Sequence, residues 1–114
     1  MNKSNNTPEE LYPTFYLVMG LKRFNGKSFT LTERVVYLHM LSEAKRGSYK
    51  ESKADIARRL GISISTVKRN IKGLKDKCLL LVLPDESYAV FDVATGETIA
   101  RSAGASHTQC SHQQ

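Results

Sequence analysis

Tryptophan is absent, and cysteine appears only twice, as Cys78 in apolar company and as Cys110 in a polar closing stretch. Two cysteines in such unlike settings make no disulfide framework, so a reducing compartment is expected. No run approaches the roughly 20 apolar residues of a membrane-spanning helix, and the opening MNKSNNTPEE is polar where a secretory signal carries an apolar core. The expected setting is soluble and cytoplasmic, without a membrane partner. Also missing are a phosphate-binding glycine loop, paired carboxylates in an apolar surround and a nucleophile motif. His39 falls on a predicted helix with no acidic or nucleophilic partner near it in sequence, so neither catalysis nor a cofactor is expected. His107, Cys110 and His112 offer metal-binding atoms, but no second cluster supplies a fourth ligand, and no metal site is expected.

Acidic residues are the scarcer charge, 11 against 17 lysines and arginines, for a net +6. Hydrophobic residues at 40% and charged residues at 25% of 114 suit one compact core with some tail. The distribution of charge says more than its total. From Lys45 to Lys77 there are eleven basic residues against three acidic ones (Glu51, Asp55, Asp76), a local balance of +8, so the rest of the chain is slightly acidic. Such a segment suits a polyanionic partner, although solvated helix faces are also often basic.

Residues 1–11 are polar and aperiodic and read as a disordered lead-in. From Tyr12 to Leu21 the chain turns apolar, which predicts a short helix with Pro13 at its first position. Asn25-Gly26 marks a turn. Thr30 followed three residues later by Glu33 is a capping-box pattern; it predicts a helix from Thr32 to Ala44, facing inward through Val35, Leu38 and Leu41 or Ser42 and ended by Arg46-Gly47. Ser48-Tyr49-Lys50 has room for a short bridging strand. Ser52 then caps a helix with Ile56, Ala57 and Leu60 inward and Arg58 and Arg59 outward, stopped by Gly61. Ser63 caps the next, which reaches Lys77 and carries Val67, Ile71 and Leu74 on one side. An apolar run from Leu79 to Leu83, the turn Pro84-Asp85-Glu86-Ser87 and a second run from Tyr88 to Val93 describe a β-hairpin, and Thr98-Ile99-Ala100 adds a brief third strand. Residues 102–114 have almost nothing to bury and read as a disordered tail.

The order helix, short strand, helix, tight turn, helix, hairpin resembles a winged helix-turn-helix domain, with the signature at 52–74 and the wing at 79–93. Ala57 sits where two helices cross closely, and Gly61, four residues on, allows a positive φ in the turn. Ile56, Leu60, Ile62, Val67 and Ile71 would clamp the two helices at a set angle. The expected fold is mostly α with a small β-hairpin, an α+β domain over 12–101 with a three-helix core, a wing and an extra N-terminal helix.

The resemblance implies duplex DNA as the partner, of the kind bound by bacterial transcriptional regulators and plasmid or phage replication and control proteins. With Val67, Ile71 and Leu74 inward, helical geometry turns Ile64, Ser65, Lys68, Arg69 and Lys72 outward. Arg69 and Lys68 are the expected base readers in the major groove, where Arg and Lys pair with guanine, and Ser65 and Ile64 the short-range ones. Ser52, Lys53, Ser63, Thr66 and Lys72 are the expected phosphate contacts, hydroxyls and cations near helix N-termini being suited to anions. Repression at an operator is the simplest mechanism; an accessory role in replication initiation, marking origin repeats, is a second. A protein-interaction module using the apolar hairpin is a third, and it differs by requiring no salt-sensitive DNA binding.

Three features depart from that pattern. Cys78 stands where a glycine usually closes the third helix, which sets a steric cost against a left-handed cap; its expected role is a small buried apolar residue rather than a redox sensor. The wing tip is acidic at Asp85 and Glu86, where many winged domains carry Lys or Arg, so the wing is expected not to clamp DNA. Leu79 to Leu83 is apolar throughout, so its second face needs a cover, either the Tyr12–Leu21 segment or a second copy, giving a homodimer through the N-terminal segment or the hairpin. Phe15, Tyr16, Tyr37 and Phe91 could stack on single strands, but apolar neighbours favour core packing for most of them.

Overall fold

The computed structural model describes residues 8–100, with side chains from residue 14 onward. The expected tail at 102–114, with His107, Cys110 and His112, lies outside the described residues, as do residues 1–7 of the expected lead-in. The first helix, α1 (Pro8–Met19), begins ahead of the expected Tyr12. Pro8 takes the first helical position that Pro13 was expected to hold, and two glutamates follow it in sequence. The polarity read as disorder is thus that of a helix start. Thr14 and Val18 are buried, and α1 lies along the second helix.

Asn25 and Gly26 both have positive φ, 52° and 76°, the conformation that joins two antiparallel strands through a two-residue turn. The predicted turn is therefore the tip of a small hairpin, β1 (Arg23–Phe24) paired with β2 (Lys27–Ser28).

The capping box at Thr30 forms in both directions, Thr30 N donating to Glu33 Oε1 at 3.0 Å and Glu33 N to Thr30 Oγ1 at 3.2 Å. It opens α2 (Leu31–Lys45), which ends at Arg46 as expected. Its inward face is the expected one only in part: Leu41 is buried and Leu38 packs against the core, but Val35 is turned out. Val36, Tyr37, Met40, Leu41 and Ala44 are buried, whereas Val35 is 38% exposed and Leu38 only partly covered. Apolar residues occupy 35 through 38 without a break, so two stripes both have helical spacing. The one chosen packs the helix at once against α1, the helix over 64–76 and the sheet.

Ser48 to Lys50 forms no strand. One backbone bond there, Tyr88 N to Tyr49 O at 2.7 Å, links the segment to the sheet. The helices α3 (Lys53–Leu60) and α4 (Ile64–Asp76) follow, then the antiparallel sheet β3 (Leu80–Val82), β4 (Tyr88–Asp92) and β5 (Glu97–Ile99), in the order β3-β4-β5. The expected wing and third strand are both present. Leu79 and Leu80 join the core; Leu81 and Leu83 are half-buried and Val82 exposed. The N-terminal segment packs on α2, so of the two covers expected for this strand it supplies little.

One core runs through the molecule. Val36 and Tyr37 of α2, Ile56 of α3, Val67 and Leu74 of α4, and Leu79 and Val90 of the sheet are all fully enclosed. The Tyr37 hydroxyl donates to Phe91 O at 2.5 Å and accepts from Val93 N at 3.1 Å, tying α2 to the end of β4. Burial pushes its acidity constant well above the usual phenol range.

Candidate nucleic-acid interface

The two helices of the expected signature are set by local chemistry. Ser52 and Ser63 each hold extended backbone ahead of a helix and accept from the third amide beyond, Asp55 N at 3.0 Å and Thr66 N at 3.1 Å. Each cap satisfies a donor with no partner inside its helix. Between the helices Gly61 adopts the left-handed conformation, φ 71°, and Ile62 N returns to Ala57 O at 3.1 Å. Ala57 is buried at the crossing, where a longer side chain would push the helices apart.

Locked on one side by Val67, Ile71 and Leu74, α4 turns the other to solvent. Ile64 is 45% exposed, Ser65, Lys68 and Arg69 are exposed, and the Lys72 side chain is 77% exposed. All four expected base readers and Lys72 thus share one outer face. At 13 residues the helix is about 20 Å long, at a rise of 1.5 Å per residue. Its N-terminal end is preordered: the Ser63 hydroxyl donates to Thr66 Oγ1 at 2.9 Å, and Arg69 Nη2 reaches the same oxygen at 3.5 Å. Thr66 accepts both, so its own proton is left for an outside acceptor. Ser52 is exposed and Lys53 half-buried at the start of α3. Lys72 approaches Asp76 at 3.5 Å, a loose exposed pair that a phosphate could replace.

Asn70, also on α4, is buried; its amide donates to Thr66 O at 2.7 Å and supports the helix from within. Lys77, counted from sequence among the basic residues of the segment, is enclosed as well. Its ammonium meets Glu33 Oε1 at 2.9 Å and lies 5.9 Å from the centre of the Phe29 ring. It is out of reach of a polyanion.

Arg58 and Arg59 point outward as expected, but both are engaged. Arg58 pairs with Asp55 at 2.7 Å and holds that carboxyl below the usual range, assisted by Ser52. Arg59 meets Glu51 at 3.2 Å, Glu43 lies 3.9 Å from it, and His39 Nε2 is 2.7 Å from the other Glu51 oxygen. His39 therefore has an acidic partner that its neighbours in sequence did not reveal, and the cluster braces α3 against α2. No group of three or more residues suited to hold a metal occurs among the described residues.

The wing closes tightly on itself. Asp85 Oδ1 accepts from Ser87 N at 3.0 Å and Ser87 Oγ at 2.6 Å, and Glu86 N donates to Leu83 O at 2.7 Å. No lysine or arginine lies between Leu79 and Ala100. Cys78, for its part, does adopt the left-handed conformation, φ 64°. Leu79 N bonds Leu74 O and Cys78 N bonds Lys75 O, each at 3.0 Å, the bond pair that closes a helix through a left-handed residue. The thiol is half-buried rather than enclosed. Of the aromatics, Tyr37 is buried and Phe91 partly so, while Phe15 and Tyr16 are exposed on α1.

Residues 30–80 match a family described as a helix-turn-helix domain. The match spans α2, α3 and α4 and reaches the first strand of the sheet. Together with that sheet it makes the fold a winged helix-turn-helix of the α+β class, and such a domain points to DNA as the partner. Neither a curated protein nor a solved structure matches the chain.

Proposed function

We propose that this winged helix-turn-helix protein binds a specific site on duplex DNA by setting α4 in the major groove, and that it acts by occupying that site, as a small repressor does at an operator. One observation carries the reading: Ser65, Lys68, Arg69 and Lys72 stand together on an outer face whose reverse is locked in the core. A groove about 12 Å wide admits one helix. Arg69 and Lys68 read bases there, with Ser65 and Ile64 near the helix start, while Ser52, Lys53, Ser63, Thr66 and Lys72 meet phosphates on either side. The chain works without a cofactor or a catalytic step, among the DNA of a bacterial cell, plasmid or phage.

Two-fold pairing of copies suits this role, because helix-turn-helix dimers read half-sites about one helical turn apart. Exposed Phe15 and Leu17 of α1 and Leu31 and Val35 of α2 support a homodimer through the N-terminal segment.

Selection from a random duplex library, followed by binding at two salt concentrations, tests the reading. A recovered consensus bound with log K falling steeply as log salt rises is expected, at about −0.9 per phosphate contacted. Binding that ignores salt, or no binding at all, removes it. Sedimentation that finds only monomer at micromolar concentration, with and without the selected site, removes the dimer.

A further inference from the structure

We propose that the β1–β2 hairpin is a second contact to the DNA backbone, taking the role that the acidic wing cannot play. The inference rests on the reading of α4 as the helix in the groove, and it adds a site in a part of the chain outside the matched segment.

Lys22, Arg23 and Lys27 surround the Asn25-Gly26 turn and are all exposed. None of the three pairs with an acidic side chain among the described residues. Among the described residues, the Arg23 guanidinium bonds Gly26 O at 2.7 Å, inside the same hairpin. Lys45, Arg58, Arg59 and Lys77, by contrast, are all engaged by carboxylates. The hairpin is thus a separate cluster of unneutralised cations, set in a part of the chain that is otherwise slightly acidic.

Its attachment gives the cluster a place. Asn25 Nδ2 donates to Lys77 O at 2.6 Å, so the tip is bonded to the residue that ends α4. Phe24 packs against the core beside Phe29, ring centres 6.4 Å apart, and Phe29 in turn lies under Lys77. The tip is bonded to the C-cap of α4 and Phe24 packs into the core beside it, so the hairpin is fixed relative to that end of the helix. A helix of about 20 Å is longer than the groove is wide, and its C-terminal end, where the hairpin sits, comes out toward the flanking phosphates. Cross-strand pairing sets Arg23 opposite Ser28 and Phe24 opposite Lys27, so Arg23 stands on the face turned away from Phe24, while Lys27, on the Phe24 side, is nonetheless exposed.

The test compares the full chain with the Lys22→Ala/Arg23→Ala/Lys27→Ala variant on the duplex selected above, across a series of salt concentrations. Thermal unfolding serves as the check on folding, since all three side chains are exposed. Weaker binding is expected at every sequence alike, with the slope of log K against log salt reduced by about 0.9 for each phosphate that the variant no longer neutralises. The recovered consensus should stay the same. Lys22→Arg/Lys27→Arg, which keeps the charge, should bind as the unaltered chain does. If the alanine variant keeps the full slope while the unaltered chain binds with its own steep one, the hairpin contact is wrong and the α4 reading stands. If the unaltered chain shows no salt-sensitive binding to any duplex, both fall.

Discussion

Glu33 and Lys77 meet 2.9 Å apart beneath the surface, the side chain of one 12% and of the other 5% exposed. The same carboxylate closes the capping box of α2 through Thr30 N, so a single glutamate starts one helix and anchors the end of another. A buried pair of this kind adds little over an apolar pair, but losing one partner strands the other charge. The contact also joins the first turn of α2 to the C-cap of α4.

Gly73 makes room for that carboxylate. A Cβ added there would lie 2.0 Å from Glu33 Oε2, so Gly73→Ala should push Glu33 off Lys77. Alanine favours a helix over glycine by about 1 kcal/mol, and the expected result is nevertheless a net loss of about 1–3 kcal/mol, as for overpacking. Urea unfolding measures it; a more stable variant would mean that Glu33 moves aside at no cost.

Cys78→Gly should have the opposite sign. Its φ of 64° strains a side chain, at a cost of roughly 1–2 kcal/mol, part of which glycine gives back in unfolded-chain entropy. A gain of about 0.5–1 kcal/mol is expected, read as a higher urea midpoint with an unchanged slope. A drop in midpoint would show that thiol packing outweighs the strain.

Tyr37→Phe removes the donor to Phe91 O and the acceptor for Val93 N in a closed environment. The expected cost is about 1–3 kcal/mol for the groups left without partners. The hydroxyl also makes stability depend on pH. Its folded acidity constant is raised by burial above the ordinary phenol value of 10.0, so its contribution is complete below that value and declines as the pH rises past it. Tyr88 is shifted the same way by burial and by Glu51, so the phenylalanine variant should lose part, not all, of the alkaline decline in thermal stability.

Arg69→Ala and Lys53→Ala should separate reading from holding. The first is expected to cost about 1–3 kcal/mol at the selected site and to relax preference at one position. The second should weaken every sequence by a similar factor and lower the salt slope by about 1. Competition between matched and mismatched duplexes distinguishes them, and equal binding by all three proteins would show that α4 is not in the groove.

The capped helices of the signature were legible because their determinants are local. Ser52, Ser63 and Thr30 each bond an amide three residues on, and Gly61 needs only its own backbone freedom. The outer face of α4 followed from the same logic, since Val67, Ile71 and Leu74 leave one way for the polar residues to point. The inward face of α2 followed only in part, at Leu38 and Leu41 but not at Val35, because an unbroken apolar stretch has no unique stripe. Disorder was the wrong expectation for Pro8 to Leu11 for a different reason: a helix start is polar, and polarity alone resembles disorder.

What this sequence determines unaided is therefore a set of short-range decisions: where helices start and stop, where the chain turns, and which residues of α4 face away from its own apolar side. What only the folded molecule decides is which cations remain to meet a partner. Lys77 is withdrawn by Glu33, Arg58 and Arg59 are held by carboxylates, and Asn25 fastens a cationic hairpin to a residue 52 positions away. Charge can be counted along a chain, but its availability depends on neighbours that the chain brings together only by packing its core.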